Sequence, residues 1–464
     1  MLLWKIRRCR VQMPLLLTYV LAQVSFANPA LDGVWQTQGY GYIFVIAGPS
    51  LTGFETTTTT CVQGITARRD PNVIQGFDAV FNSKQEGKLF FRVTAGGRGV
   101  LHPEDSVADM SIERKSKMPA VCAQRAENTP MGNFEVFVRT WAENYISFER
   151  RHVDWDSTVA EYRKRVTAET TPEQLFDIFE SMIKPLGDIH TYIAARALKR
   201  STPEFWRPGT ARIIKSGTDE FAKRGRWKLF AITNRDYLQV RPRMFCRRQL
   251  QFGHINNSLG YLRLLSFGGY SRSSDSKALE SALDAIFSDS KLKGLVIDMR
   301  LSFGGSDELG LAIASRLTTR RYVAYLVQAR SNPVNAEQWT SAQPVMVEPS
   351  SRPGFHGLVV ELTGPITMSA AETFTEALMS RNPRVIRIGE STQGVFCDIL
   401  DRHLPNGWTF GLPNAVYRTP EGKSFDVTGI PPDIQIPVFA NGDVRAGKDP
   451  AMAKAVELVS RTVE

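Results

Sequence analysis

The stretch Leu292-Lys-Gly-Leu-Val-Ile-Asp-Met-Arg300, followed by Leu301-Ser-Phe-Gly-Gly-Ser306, decides the expected fold of this chain. Its short apolar run is typical of a strand buried on both faces, and the paired glycines predict a turn. A helix is expected next, at residues 308–317. The same alternation continues on both sides, with strands at 259–267, 321–327, 357–363 and 385–389 and helices at 277–287 and 369–381. Short crossovers between apolar strands predict an α/β core over residues 258–440.

Four further segments surround this core. Residues 28–125 are rich in aromatic and β-branched residues broken by Gly and Pro, which predicts a small β domain. Residues 131–200 carry apolar residues at helical spacing and are expected to form a helical segment that ends in a turn containing His190. Residues 201–257 are interpreted as a connecting region, and residues 441–464 as a C-terminal helix or tail.

The first 27 residues have the pattern of a secretory signal peptide. A basic stretch from Lys5 to Arg10 precedes a short apolar run, which ends in the small-residue cleavage pattern Ser25-Phe-Ala27. We therefore expect residues 1–27 to be removed and the mature protein to be periplasmic or secreted. A membrane-anchored N-terminus is the alternative.

Composition narrows the classes of function. The formal net charge is +10, but the basic residues after the N-terminus are scattered, which argues against a nucleic-acid interface. No later stretch approaches the ~18 continuous apolar residues of a membrane span, so we expect no stable membrane insertion. Neither an HExxH motif nor a Cys/His cluster is present, so a zinc site is not expected. None of the motifs described below requires a metal or an organic cofactor.

Four cysteines follow the predicted signal peptide, and an oxidising compartment would permit disulfides between them. Four cysteines allow three pairings. We expect Cys61 to pair with Cys122 inside the first domain, and Cys246 to pair with Cys397 inside the second.

Three positions could carry chemistry, and each also has a purely structural interpretation. Ser369 opens a helix, where the helix N-terminus favours developing negative charge, but Ser with Glu three residues later is also a capping box. Gly304 and Gly305 follow a buried strand and could expose amide donors to a ligand, or could form an ordinary turn. His190 lies in the compact turn Gly187-Asp-Ile-His-Thr191, and a single histidine is more often structural.

The order of five short motifs makes the functional interpretation stronger than any one of them does. The chain resembles the C-terminal processing peptidases, also called tail-specific proteases, and the related tricorn core. The motifs are Asp188–Thr191, Ile297–Gly305, Thr367–Glu372, Gly389–Gly394 and Gly422–Asp433.

The resemblance implies a crotonase-like or ClpP-like spiral of ββα units with Ser369 as nucleophile. Many family members use a Ser–Lys dyad, but Val395 stands where that lysine would be, and a valine cannot accept a proton. The tricorn-like branch instead uses a histidine, which His190 matches, and a late glutamate, at whose position this chain has Asp426. Aspartate is one methylene shorter than glutamate, but it can still orient an imidazole. The oxyanion would then lie between the backbone N–H groups of Gly304 or Gly305 and that of Ala370.

We therefore expect a serine endopeptidase that acts on peptide or protein substrates through an acyl-enzyme. A non-catalytic binder of peptides or small ligands on the same fold is the alternative, and another acyl hydrolase is a third. The roughly 60 residues between Thr191 and Leu259 are short for a PDZ domain of the ~80–90 residues that tail-specific proteases often carry, so recognition of a free C-terminus is not expected. The sequence does not indicate the oligomeric state.

Overall fold

The computed structural model describes residues 31–72, 74–104, 106–207, 210–211 and 220–461, without the side chains of 220–226 and 441. The predicted signal peptide therefore lies outside the described residues. Within the described part of the chain, no helix combines the length and apolarity needed to cross a membrane.

The N-terminal β domain is a closed barrel of eight antiparallel strands, in which β1 pairs with both β2 and β8. Alternate side chains point inward, and they bury Trp35, Phe44 and Phe91 at the barrel centre. Five consecutive threonines, Thr56–Thr60, lead from the end of β3 at Thr56 to the start of β4 at Cys61. The barrel strands are β1 (Gly33–Thr37), β2 (Tyr42–Ala47), β3 (Ser50–Thr56), β4 (Cys61–Arg69), β5 (Ala79–Ser83), β6 (Gly87–Thr94), β7 (Arg98–Pro103) and β8 (Met110–Lys115).

A helical layer follows the barrel. It comprises α1 (Pro130–Asn144), α2 (Trp155–Arg163) and α3 (Pro172–Ile183). Thr171 and Gln174 form a capping box at the start of α3, and proline occupies the first helical position. The apolar faces of the helices meet in one cluster, which also buries Phe410 from a later strand.

The centre of the molecule is a seven-stranded sheet in the order β11-β12-β13-β14-β17-β18-β22. The run from β13 to β22 is parallel, and the two strands at the other edge are antiparallel. A four-stranded sheet (β10-β9-β20-β19) and a three-stranded sheet (β16-β15-β21) flank it. The strands are β9 (Tyr192–Ala195), β10 (Arg200–Ser201), β11 (Arg243–Phe245), β12 (Leu250–His254), β13 (Leu259–Leu264), β14 (Gly294–Asp298), β15 (Tyr322–Ala329), β16 (Gln343–Val347), β17 (Leu358–Thr363), β18 (Ile386–Gly389), β19 (Ile399–His403), β20 (Thr409–Pro413), β21 (Ala415–Arg418) and β22 (Ile434–Gln435).

Helices cover both faces of the central sheet, which is why its strands are apolar without alternation. The remaining helices are α4 (Glu220–Asp236), α5 (Asp275–Phe287), α6 (Asp307–Ser315), α7 (Ala370–Met379), α8 (Asn441–Arg445) and α9 (Pro450–Ser460). Helix α9 lies against β14 and β17 through Ala451, Met452 and Ala455. The expected connecting region contributes structure of its own, because α4, β11 and β12 all fall within residues 201–257.

One of the two expected disulfides is wrong. Cys61 and Cys122 are bonded, but Cys246 and Cys397 are free buried thiols. The Cys397 sulfur lies 2.9 Å from the carbonyl oxygen of Asp398 and 3.1 Å from the backbone nitrogen of Ala415. Its hydrogen-bonding surroundings are therefore provided by neighbouring backbone groups and not by a second cysteine.

Candidate functional site

The site is built where two neighbouring parallel strands end. Strand β14 pairs with β17 so that Asp298 lies opposite Leu362. The turns that follow these strands therefore emerge side by side. Thr367 joins them, because its hydroxyl donates to the carbonyl of Met299 at 2.8 Å and accepts from the N–H of Gly364 at 3.0 Å.

A buried ion-pair network holds the first of these turns. Both carboxylate oxygens of Asp298 accept from the guanidinium of Arg300, at 3.0 and 2.7 Å, and Asp449 accepts from it at 2.8 Å. The Tyr261 hydroxyl also donates to Asp298, at 2.6 Å. All three charged side chains are excluded from solvent. The Asp-Met-Arg pattern that the sequence shows here is therefore an anchor for the turn and does not itself reach the site.

Ser369 occupies the sharp turn between β17 and α7. Its backbone has φ 55° and ψ −130°, a left-handed conformation that costs a non-glycine residue roughly 1–3 kcal/mol. The N–H of Ser369 donates to the carbonyl of Val395 at 3.1 Å. The residue remains partly exposed while its neighbours in α7 are buried. A strained serine at a strand-to-helix turn is the geometry that presents nucleophilic hydroxyls in α/β hydrolases.

The glycine turn contacts this serine directly. Gly304 has φ +79°, and a Cβ placed on it would lie 2.7 Å from Ser369 Cβ and 3.0 Å from the amide nitrogen of Ala370. Ala370 is the first residue of α7, so its N–H has no acceptor within the helix. Gly305 has φ +140°, and a Cβ there would meet the carbonyl of Phe267 at 2.3 Å. The structure thus brings Ser369, Gly304 and Ala370 into contact, with Gly305 beside them.

Glu372 is a residue of this site that the sequence analysis treated only as a helix cap. Its carboxylate accepts from the N–H groups of Gly394 at 2.6 Å and Val395 at 2.8 Å, and from that of Ser369 at 3.3 Å. Burial raises the pKa of Glu372 to about 7. The carboxyl group ties the serine turn to the segment containing Val395, and the capping-box spacing was its only signal in the sequence.

His190 lies in a turn that its neighbours hold rigidly. Asp188 accepts from the backbone N–H of His190 at 3.0 Å, from the Tyr145 hydroxyl at 2.8 Å, and pairs with Arg151 at 3.1 Å. The imidazole is buried, its Nδ1 has no hydrogen-bond partner among the described residues, and the ring lies against the backbone of Cys397. Burial lowers the pKa of His190, while the nearby Asp188 carboxylate opposes that shift.

Asp426 lies beside His190. Both residues line one small cavity of about 10 Å³, together with Asp188, Val395 and Cys397. The Ser424 hydroxyl donates to Asp426 at 3.0 Å. Burial raises the pKa of Asp426 to about 6, and the hydrogen bond from Ser424 opposes the shift.

The candidate residues therefore form two adjacent groups. Ser369, Gly304 and Ala370 make one group, and His190 and Asp426 make the other. No hydrogen bond joins Ser369 to His190 among the described residues. Val395 contacts both groups, because its carbonyl accepts from Ser369 and it also lines the histidine cavity.

A strained serine next to glycine and helix-terminal amides, on an α/β sheet, is an arrangement also found in hydrolases that form covalent intermediates through a serine. Comparison with known families specifies the class further. The family model "Peptidase family S41" matches residues 258–436, and the model "Tricorn protease C1 domain" matches residues 126–184. The core of this chain, residues 258–436, is therefore similar to peptidase family S41.

Solved structures share this fold at low sequence identity. A protein of Parabacteroides merdae, named provisionally as a peptidase, is 23% identical, with 72% of this chain and 97% of that one aligned and a TM-score of 0.59. Mature CPAF in complex with lactacystin is 12% identical, with 71% and 97% of the two chains aligned and a TM-score of 0.52. A search of curated proteins found no match.

Proposed function

We propose that this protein is a serine endopeptidase that cleaves peptide bonds through an acyl-enzyme on Ser369. The observation that carries the proposal is the backbone of Ser369, strained at a strand-to-helix turn and in contact with Gly304 and Ala370. Strain of this kind persists only where the surrounding structure enforces it, and it clusters at functional sites. We also propose that the chain is exported through residues 1–27.

In the proposed mechanism, the Ser369 oxygen attacks the scissile carbonyl carbon and its proton passes to His190. The N–H groups of Ala370 and of Gly304 or Gly305 donate to the resulting oxyanion. His190 then protonates the departing amine, and water, deprotonated by the same imidazole, releases the acyl group. Asp426 accepts the other imidazole N–H and stabilises the imidazolium.

Two features of the histidine group support this assignment. Burial lowers the pKa of His190, which keeps the ring neutral and able to accept a proton near pH 7. Its Nδ1 is buried without a partner among the described residues, and His190 lines the same small cavity as Asp426. Substrate binding would need to bring the imidazole to Ser369, as catalytic hydrogen bonds often tighten only in the substrate complex.

Covalent labelling tests the nucleophile directly. A fluorophosphonate probe should acylate the native protein at one serine, and peptide mass spectrometry should locate the adduct at Ser369. Ser369→Ala should remove the label. Ser281→Ala, an exposed serine on α5, is the matched control and should label normally. An adduct on another serine, or no adduct in a folded protein, would overturn the proposal.

The base is tested by His190→Ala and Asp426→Asn. Loss of the base should lower kcat by several orders of magnitude, while His356→Ala, at an exposed histidine, should not change it. Circular dichroism and denaturant melting distinguish loss of chemistry from loss of fold. A His190→Ala protein that is folded and fully active would eliminate His190 as the base.

Among the described residues, no hydrogen bond joins Ser369 to His190. This observation favours one second candidate, a peptide-binding protein without catalysis on the same fold. Val395, in place of the usual lysine, is consistent with it. Under this alternative the native protein would bind peptides but resist the fluorophosphonate probe, so the labelling experiment discriminates between the two functions.

A further inference from the structure

A large cavity lies between the mouth of the β barrel and the α/β core. Its volume is about 590 Å³, within the range of roughly 300–1,000 Å³ typical of ligand sites. The barrel supplies apolar and aromatic walls, including Tyr40, Tyr42 and Phe44. Strand β19 closes the barrel mouth, where Leu400 packs into the barrel's own apolar cluster.

The cavity reaches the candidate active site. Gly305 and Phe267 line it, and Gly304, the residue next to Gly305, contacts Ser369. Cys397 also lines it, and Cys397 lies against the His190 ring on its other side. A peptide whose carbonyl rested against the glycine turn would therefore extend a neighbouring side chain into this cavity.

The cavity is acidic although the whole chain is basic. Six carboxylate residues line it, and no lysine, arginine or histidine among the described residues does so. The six are Glu86, Glu104, Asp275, Glu308, Asp398 and Asp401.

Three of the six carboxylates accept hydrogen bonds from neutral donors. Glu104 and Asp275 accept from backbone N–H groups, at 2.9 and 2.8 Å, and Asp401 accepts from a tyrosine hydroxyl at 2.7 Å. Arg402 lies over the Tyr42 ring and donates to the carbonyls of Tyr40 and Asp401. Burial raises the pKa of both Glu86 and Asp401, and repulsion by Glu55 adds to each shift, although Arg402 and His403 oppose it.

One buried polar atom at the cavity also lacks a partner. Asn414, which lines the cavity and is 2% exposed, has an amide nitrogen without an acceptor among the described residues. Buried polar groups are usually hydrogen-bonded, so this amide points to a ligand that supplies an acceptor.

We propose that this cavity is the subsite that recognises a lysine or arginine side chain of the substrate, with the barrel forming half of it. The proposal rests on the proposed peptidase function. The aliphatic stem of the substrate side chain packs on the barrel tyrosines and its cationic head faces the carboxylates. The Asn414 amide donates to a carbonyl of the bound peptide. The barrel thereby acts as a specificity domain.

Binding is measured without hydrolysis in the Ser369→Ala protein. The probes are two fluorescent peptide pools with randomised flanks around one fixed arginine or one fixed citrulline, which is nearly isosteric but neutral. We expect the arginine pool to bind about tenfold more tightly in low salt, as close charge pairs at interfaces do. The difference should shrink in about 0.5 M salt, where the Debye length falls to about 4 Å. Equal binding of the two pools in low salt would overturn the subsite.

Hydrolysis by the native protein provides the second measurement. Cleavage sites in a proteome-derived peptide library should show lysine or arginine enriched at one fixed position near the cut. Glu86→Gln, a barrel residue, should reduce the arginine preference about fivefold, the upper range for a partly solvated ion pair. Glu113→Gln, an exposed barrel acid that does not line the cavity, is the matched control and should leave it unchanged.

The two measurements separate the two proposals. Charge-dependent binding without any hydrolysis supports the subsite and refutes the peptidase. Hydrolysis without a preference for lysine or arginine supports the peptidase and overturns the subsite. The same conclusion follows if that preference is unchanged in the double variant Glu86→Gln and Asp398→Asn.

Discussion

Replacing Gly304 by alanine should stop acylation of Ser369 while leaving a folded protein. The left-handed φ of +79° alone costs a residue with a Cβ about 1–2 kcal/mol. The new methyl group would also lie 2.7 Å from Ser369 Cβ and 3.0 Å from the Ala370 nitrogen, and such overpacking typically adds about 1–3 kcal/mol. Relief of that clash must move the serine turn or the Ala370 amide.

The effect on chemistry should be larger than the effect on stability. A displaced oxyanion donor typically lowers the rate by about 10²–10³-fold, which corresponds to roughly 3–4 kcal/mol. The assay is the second-order rate of fluorophosphonate labelling, measured beside the urea midpoint of the same preparation.

Gly407→Ala is the matched control. Gly407 has φ +82° in the turn between β19 and β20, and nothing lies within 4 Å of its hypothetical Cβ. It should lose about 1–2 kcal/mol of stability for the same backbone reason and keep the native labelling rate. If Gly304→Ala labels within about twofold of the native rate, the glycine turn does not form the oxyanion site, because one lost donor costs about 10²-fold or more.

Three further outcomes follow from the structure. The rate of labelling should rise with pH through a midpoint near 6 and then stay level. Asp426 must be ionised and His190 must be neutral, and burial raises the pKa of Asp426 to about 6 while it lowers that of His190. A labelling rate that does not rise over this pH range would contradict the triad. Arg300→Met should lower the free energy of unfolding by about 3–5 kcal/mol in urea titration, since it leaves the buried Asp298 and Asp449 without their cation. A loss below about 1 kcal/mol would show that this buried ion-pair network is not an anchor. Thiol titration should detect Cys246 and Cys397 only after denaturation, because both thiols are free and buried. If neither thiol reacts in the unfolded, unreduced protein, the two cysteines are joined by a disulfide after all.

Local sequence patterns predicted many of the elements of the core. Strand β14 and helix α6 were expected close to where they lie, because a buried strand is continuously apolar and paired glycines end it. The same reasoning placed Ser369 at the start of α7. These features depend on residues that are neighbours along the chain, so a single sequence contains their cause.

Pairing between distant segments was less accessible. The expected Cys246–Cys397 bond is absent, and both thiols are free and buried. A disulfide needs a specific distance and orientation between two cysteines, which their spacing along the chain does not predict. The closure of eight strands into a barrel and the docking of that barrel on β19 also follow from contacts between residues far apart in sequence.

The sequence by itself determined the buried parallel strands, the glycine turn and the serine that opens a helix, since these follow from local polarity and backbone freedom. Only the tertiary structure decided that Gly304 touches Ser369, that His190 shares a cavity with Asp426, and that an acidic cavity joins the barrel to the site. The physical reason is that strand register and domain docking are set by the packing of the whole core, which no short stretch of chain encodes.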